Sequence, residues 1–332
     1  MIVLGLALSV FFLAWAFRDV SLAELAHQLR RANYVYFALA VLVLTLTFPL
    51  RALRWRILLA PGTAGAPLGP VWRATAIGFM ANNVLPARAG EVVRAYAASQ
   101  LVGLPVSTTL ASIGIERVFD GLVIIFLLTL GILAPEFPSH SQVAGRSVAD
   151  IAVWTGGAFA VILMLFVTMV HAPARALQVV DRAFHRVLPR RAAEWTVRVL
   201  RNLIEGLAIL RSPRDTARVL VWSFALWLTN ASGYWFGFRA FHLLGLPASS
   251  TLVLQGIVAL GVAIPSSPGW FGPFEAASRA SLELYGVNGG AAASFALGLH
   301  IGGFIPITAI GFWILARTGL TLRELSGKAP KR

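Results

Sequence analysis

The sequence predicts an all-α, polytopic membrane protein of about six full transmembrane spans plus two re-entrant helical hairpins, or eight spans if each hairpin counts as two short ones. Three observations lead there. Of 332 residues, 58% are hydrophobic and only 13% charged, about half the charged share of a soluble domain. Several apolar runs reach the roughly 20 residues that cross a hydrocarbon core. Two further apolar segments are interrupted, at 82–91 and at 264–275, by Pro, Gly, polar side chains and a carboxylate. Irregular backbone persists at membrane depth only where protein or a wet cavity satisfies it, and a broken segment in each half of a chain points to a transport-type site.

In order along the chain, residues 2–17 form a first apolar span. Ala14-Trp15-Ala16 also resembles a signal-peptide cleavage site, so two readings stand, a retained helix and a removed leader. Leu22, Leu25, Ala26 and Leu29 then recur at helical spacing among Asp19, Glu24, Arg30 and Arg31, the pattern of an interfacial amphipathic helix. A second span covers 34–50 and runs into Arg51, Arg54, Trp55 and Arg56, read as an interfacial cluster at the cytoplasmic boundary. The stretch 71–79, the first break and 92–101 read as helix, break, helix, too short to cross and suited to a hairpin. Spans are expected at 106–134, 151–170, 219–243 and 291–316, with a polar outer loop at 135–149. Residues 252–263 and 276–285 form the second hairpin around the second break.

With both termini inside, hairpin one enters from the cytoplasm and hairpin two from outside, the arrangement of an inverted repeat. Direct self-similarity is limited. Residues 103–110 and 245–252 agree at six of eight positions, but they pair a full span with a hairpin arm. Each carries a Ser placed to cap a helix, Ser107 and Ser249.

Net charge is +14, and its placement explains it. Three Lys or Arg fall in 51–56, ten in 175–218 and five in 317–332. The topology puts all three segments on the cytoplasmic side, as the positive-inside rule requires. The chain therefore reads as a single integral membrane domain, 1–332, lodged in the plasma membrane. It contains a basic amphipathic cytoplasmic segment at 171–216 and a basic cytoplasmic tail at 317–332. Anionic membrane surface is the expected partner of these charges and nucleic acid is not. Cysteine is absent, which excludes disulfides and thiolate chemistry. His171, His185, His242 and His300 show no metal-ligand spacing, no cofactor motif occurs, and the segment 175–218 supplies no convergent carboxylate pair of the kind a membrane-embedded transferase would need on the cytoplasmic side.

Two breaks and one span carry the candidate chemistry. Arg88, Glu91 and Arg94 lie three apart and stack on one helix face. Asn82 and Asn83 precede that break, and Pro86 and Gly90 shape its turn. This set suits either a phosphate or carboxylate headgroup, with Glu91 orienting an arginine, or an ion network that satisfies only itself. Glu116, Arg117 and Asp120 fall within a span, either locking it to a neighbour or facing Arg88 or Arg94 as part of a site. A proton or cation relay is the third reading. In the second break, Pro265, Pro268, Gly269 and Gly272 set a hinge, while Ser266, Ser267 and Trp270 offer hydrogen bonds. Glu275 there is either a helix cap or a functional carboxylate. The ten Trp read mostly as interface anchors.

The ordered motifs Asn83-x-Leu85-Pro86-x-Arg88-x-Gly90-Glu91-x-x-Arg94, Glu116-Arg117-x-x-Asp120 and Pro265-x-x-Pro268-Gly269-x-x-Gly272-x-x-Glu275 resemble the flippase-like transmembrane domain of lysylphosphatidylglycerol synthases over essentially the whole chain. The resemblance implies binding and translocation of an anionic or aminoacylated phospholipid. On that reading Asn82, Asn83, Arg88, Glu91, Arg94, Glu116, Arg117, Asp120, Ser266, Ser267, Trp270 and Glu275 surround the headgroup. Residues up to Arg332 leave no room for the soluble synthase domain, so synthase activity is not expected, and a separate lipid-modifying enzyme is a candidate partner. Trp270 stands where a second glycine is expected in many members. A membrane-embedded transferase on a lipid carrier and a non-transporting lipid-binding scaffold are the competing readings.

Overall fold

The computed structural model describes residues 2–60, 65–86, 89–138, 212–264 and 266–319, with isolated positions between 139 and 211. Arg88, Pro265, the expected span at 151–170, most of the 171–216 segment and the tail beyond Gly319 lie outside the described residues. What is described is entirely helical. The ten helices are α1 (Ile2–Phe17), α2 (Leu22–Arg31), α3 (Tyr34–Leu59), α4 (Leu68–Val84), α5 (Ala89–Val102), α6 (Val106–Leu133), α7 (Pro213–Ala240), α8 (Ser250–Ala263), α9 (Pro273–Glu283) and α10 (Gly289–Thr318).

Local sequence explains most starts. Ser21 caps α2 by accepting the Glu24 N–H at 3.0 Å. Asn33 caps α3 through Val35 and Tyr36, and Ser212 caps α7 with Pro213 behind it. Asn288 accepts the Gly290 N–H at the head of α10. Each cap satisfies an amide that the first helical turn would leave unpaired. The two serines expected to cap do not. Neither α6 nor α8 has a side-chain cap, because Pro105 and Pro247 already fix the chain ahead of them. Ser249 instead points at Glu136, 3.4 Å away.

Among the described residues two helices are long and apolar enough to cross a membrane, α3 and α10. The pair α1 and α2, bent by 75° at the turn between them, makes a third candidate. α6 and α7 are equally long, at 28 residues each, but carry internal charge. Leu39, Leu42 and Leu46 on α3, Val10 and Phe11 on α1, and Ile305 and Trp313 on α10 are exposed, forming apolar surface far beyond what a water-facing protein tolerates.

The core divides into two main clusters. One gathers α4 and α5 with Trp55, Leu58, Ile113, Phe119 and Ile314. The other gathers α8 and α9 with Tyr234, Phe238, Phe295 and Leu299. α3 and α10 run through both, each giving one half to either cluster. Both sequence breaks form helical hairpins, α4–α5 and α8–α9, whose arms pack on each other. Hairpin one owes its tight packing to glycine: a Cβ on Gly90 would overlap the Gly78 carbonyl oxygen and the Asn82 side chain. Small residues at such crossings let backbones approach closely in lipid, where hydrophobic drive between helices is weak.

The expected second span was too short. α3 continues past residue 50 to Leu59, so the arginine cluster sits inside the helix. Arg54 and Trp55 are completely buried. Carboxylates on α6, distant in sequence, supply the partners that make that burial tolerable.

Candidate functional site

Between the hairpins lies a cavity of about 480 Å³, within the range of small-molecule sites. One wall is an ion network. Glu116 on α6, with no exposure, takes a two-pronged contact from Arg94 on α5 at 3.0 and 2.9 Å. It also takes Arg117 at 2.8 Å and Arg54 at 3.4 Å. One turn along, Asp120 accepts from Arg54 at 2.7 Å and from the Trp227 indole at 2.9 Å. Arg54 continues to the Ser223 hydroxyl. The Arg94 guanidinium lies over the Trp55 ring, 3.7 Å from its centre, and that indole donates to Ser112. Planar guanidinium forks paired with carboxylates hold this geometry better than point charges would.

Two further arginines face the cavity, one loosely paired and one partly exposed. Arg51 has only a loose 3.5 Å contact with Asp120, whose oxygens are already engaged, and rests between the rings of Phe79 and Trp227. Arg117 is 44% exposed and reaches Glu91 at 3.8 Å. Four guanidiniums thus meet three carboxylates among the described residues, leaving net positive charge beside a cavity.

The opposite wall is hairpin two. Gly269 (φ +70°), Trp270 (φ +60°) and Gly272 (φ +100°) give the break its left-handed turns. Trp270 is a bulky residue in a conformation glycine adopts freely, which makes sense of the glycine expected there. Glu275 caps α9, its Oε2 accepting the Gly272 N–H at 2.7 Å. Its Oε1 meets Nδ1 of His300 at 2.5 Å, while Nε2 of His300 meets the Gly269 carbonyl at 2.7 Å. Phe271 and Phe274 flank the imidazole, each 4.4 Å between ring centres. Hairpin one is tied to the same helix: Asn83 donates to Thr308 at 2.7 Å on α10.

The cavity gathers Asn82, Asn83, Glu91, Arg94, Arg117, Asp120 and Trp270 of the residues singled out from sequence. Others are placed differently. Glu116 lies behind the arginines as their anchor, so the locking role applies to it and it has no surface to offer a headgroup. Glu91 does not orient Arg94; Glu116 does, because α5 and α6 pack side by side and present those two to each other. Ser266 and Ser267 do not line the cavity: their backbone meets α1, where a Cβ on Gly5 would touch the Ser266 carbonyl and the Ser267 N–H donates to Ser9 at 2.7 Å, while the Ser267 hydroxyl donates to the Phe271 carbonyl at 3.2 Å. Glu275 is fully buried and reaches the cavity only through His300. Among the described residues no cluster of His, Asp and Glu could hold a metal.

Sequence reasoning missed Arg51, Arg54, Trp227 and Gln255 and underrated His300. The one available signal was helical phase: Arg51 and Arg54 share a face of α3 three residues apart, and a helix continuing to Leu59 puts that face inside.

Comparison with known proteins agrees with the motifs. The chain is similar to glycosyltransferase AglD of Haloferax volcanii, 28% identical over 301 residues, covering 83% of this chain and 47% of that protein. It therefore spans about half the length of that relative. It is also similar to a UPF0104 membrane protein of Methanothermobacter thermautotrophicus, 26% identical over 302 residues, covering 84% of this chain and 82% of the relative. No solved structure matches. The family model described as the lysylphosphatidylglycerol synthase TM region matches residues 2–311, and the chain belongs to that family.

Proposed function

We propose that this membrane protein binds the phosphate headgroup of an anionic or aminoacylated phospholipid in the cavity between its hairpins and carries it between leaflets. The observation that supports this best is the loosely paired cationic charge of Arg51, with the partly exposed guanidinium of Arg117 beside it, on the wall of a cavity between the two hairpins. Charge at membrane depth is costly and is retained where it serves a pathway. The fixed network behind it, anchored on Glu116, holds the arginines in place before the headgroup arrives, while the acyl chains stay in lipid. In this reading the helices make about six spans and two re-entrant hairpins with both termini cytoplasmic. The basic segment at 171–216 meets anionic lipid or a lipid-modifying enzyme, and the chain performs no bond chemistry of its own.

Reconstitution tests the reading. Fluorescent phosphatidylglycerol, or its lysyl form, is expected to change leaflet faster in proteoliposomes with the protein than without, and Arg51→Gln should slow that by roughly tenfold, about 1.4 kcal/mol. Equal rates with and without protein would sink it. The name of the AglD relative supports a second reading, a membrane-embedded partner of glycosyl transfer on a lipid carrier. In that case a glycosylated lipid phosphate would compete for the cavity where phosphatidylglycerol does not.

A further inference from the structure

We propose that His300 and Glu275 form a one-proton site in the cavity wall, and that a proton is taken up together with the anionic headgroup. The second half rests on the headgroup reading above; the first half does not.

The argument is a count of donors and acceptors. The Gly269 carbonyl only accepts, so His300 Nε2, 2.7 Å away, carries a hydrogen. An ionised carboxylate also only accepts, so the 2.5 Å contact between His300 Nδ1 and Glu275 Oε1 needs a hydrogen of its own. That proton sits either on the ring, giving imidazolium and carboxylate, or on Glu275, giving neutral imidazole and carboxylic acid. Remove it to water and neither tautomer of the imidazole can keep both contacts, since one ring nitrogen must then face an acceptor with its lone pair. Glu275 Oε2 is already engaged with the Gly272 N–H, so the carboxylate cannot turn away freely.

Losing either contact has a mechanical consequence. His300 is a residue of α10, and its two partners lie in hairpin two, in the break at Gly269 and at the start of α9. Phe271 and Phe274 clasp the ring from the same segment. The loaded pair therefore fastens the left-handed break to α10, and the unloaded pair releases one of the two fastenings. Unloading also leaves a net negative charge among Phe271, Phe274 and Phe304, beside the place where an anion would sit. An anionic headgroup and the proton consequently favour each other's binding.

The other ionisable groups facing the cavity are Arg51 of α3, Glu91 and Arg94 of α5, Arg117 and Asp120 of α6, and Tyr234 of α7. From α4 and α8 only the amides of Asn82, Asn83 and Gln255 face it, and α1 contains no ionisable side chain. Glu275 is the sole ionisable partner within hydrogen-bond reach of His300 among the described residues.

The test uses the full chain in phosphatidylcholine nanodiscs, with dihexanoyl-phosphatidylglycerol as probe. On the alkaline limb, where the free site has released its proton, calorimetry in two buffers of different ionisation enthalpy should show one proton taken up per probe bound, with Kd rising about tenfold per pH unit. Glu275→Gln is the decisive variant. Its amide can donate to Nδ1 while its oxygen still accepts from Gly272, so the fastening persists with no proton to release. The pH slope and the proton uptake should both vanish. Binding without proton uptake in the unaltered protein, or an unchanged slope in Glu275→Gln, overturns the coupling. A second readout needs no lipid: in 15N-histidine NMR, with the His300 signal assigned by its loss in His300→Gln, Glu275→Gln should shift the ring's titration. An identical titration overturns the one-proton site itself, whatever the probe does. Absence of probe binding at every pH, with that NMR shift present, would fault the headgroup reading and leave the proton site standing.

Discussion

Glu116 should be the residue whose neutralisation costs the fold most. Replacing it with Gln keeps shape and volume while removing the charge on which Arg94, Arg117 and Arg54 converge. Arg54 and Arg94 are both buried, at 0% and 3% exposure, so the change strands cationic charge with Asp120 alone to answer it. Removing one partner of a buried pair typically costs about 3–5 kcal/mol. Arg117, partly exposed, recovers much of its loss from water, which favours the lower end of that range. The comparison variant is Glu91→Gln. Its one ion contact among the described residues is 3.8 Å long and 38% exposed on the Glu91 side, which limits the loss to about 0.5 kcal/mol. Equilibrium unfolding in mixed detergent, followed by tryptophan fluorescence, should separate the two by several-fold in free energy. Combining Arg94→Met with Glu116→Gln should recover part of the loss, because it removes one stranded charge. A Glu116→Gln cost no larger than that of Glu91→Gln, or no recovery in the double variant, would refute the idea that this carboxylate organises the arginines.

Three further outcomes follow from the geometry. Gly90→Ala should destabilise the protein by about 1–3 kcal/mol, since the new methyl group meets the Gly78 backbone carbonyl; the same unfolding assay checks it, and a neutral result would mean the hairpin arms can part. Trp270→Gly should relieve left-handed strain of about 1 kcal/mol and so leave stability within about 1 kcal/mol, while letting lysyl-phosphatidylglycerol compete better against phosphatidylglycerol in a binding assay. Asp19 sits at the turn after α1, with its carboxyl held below the ordinary value of 3.8 by hydrogen bonds from Arg279. A lowered folded-state pKa stabilises above the unfolded value and fades as pH falls through the lowered one. The stability difference between the unaltered protein and Asp19→Asn should therefore be present at neutral pH and shrink under acid, and a difference that grows with acidity would contradict the sign.

Membrane breaks were legible because Pro, Gly and charge in apolar runs have few explanations. Asn83 lies in the first break and Arg94 on the arm that follows it, and both were found with it; Asp120 stood out as charge inside an apolar span. Arg54 was hidden for a physical reason: Arg beside Trp is also what an interface looks like, and only the carboxylates 62 and 66 residues later distinguish the two. His300 was hidden because its meaning lies in the backbone of another element. One partner is a carbonyl, which every residue has, and it is aimed by the left-handed turn at Gly269. The serines of the second break show the opposite error. Their hydroxyls were visible, but the Ser267 hydroxyl closes on the Phe271 carbonyl, and it is the Ser267 backbone N–H that meets α1, at the other end of the chain.

That last contact also sets a timetable for the protein's birth. α1 leaves the ribosome before the other helices described, yet it holds the second break through Ser9 and Ser267, 258 residues apart. Its Ala16 carbonyl likewise waits for Arg279, 263 residues later. At synthesis rates of roughly 5–20 residues per second, the first helix spends on the order of ten to fifty seconds in the bilayer before its mate exists. Its polar Ser9 must be tolerated by lipid or sheltered by an insertion factor for that time. Cleaving α1 after Ala16 would discard the Ser9 hydroxyl and carbonyl against which hairpin two closes.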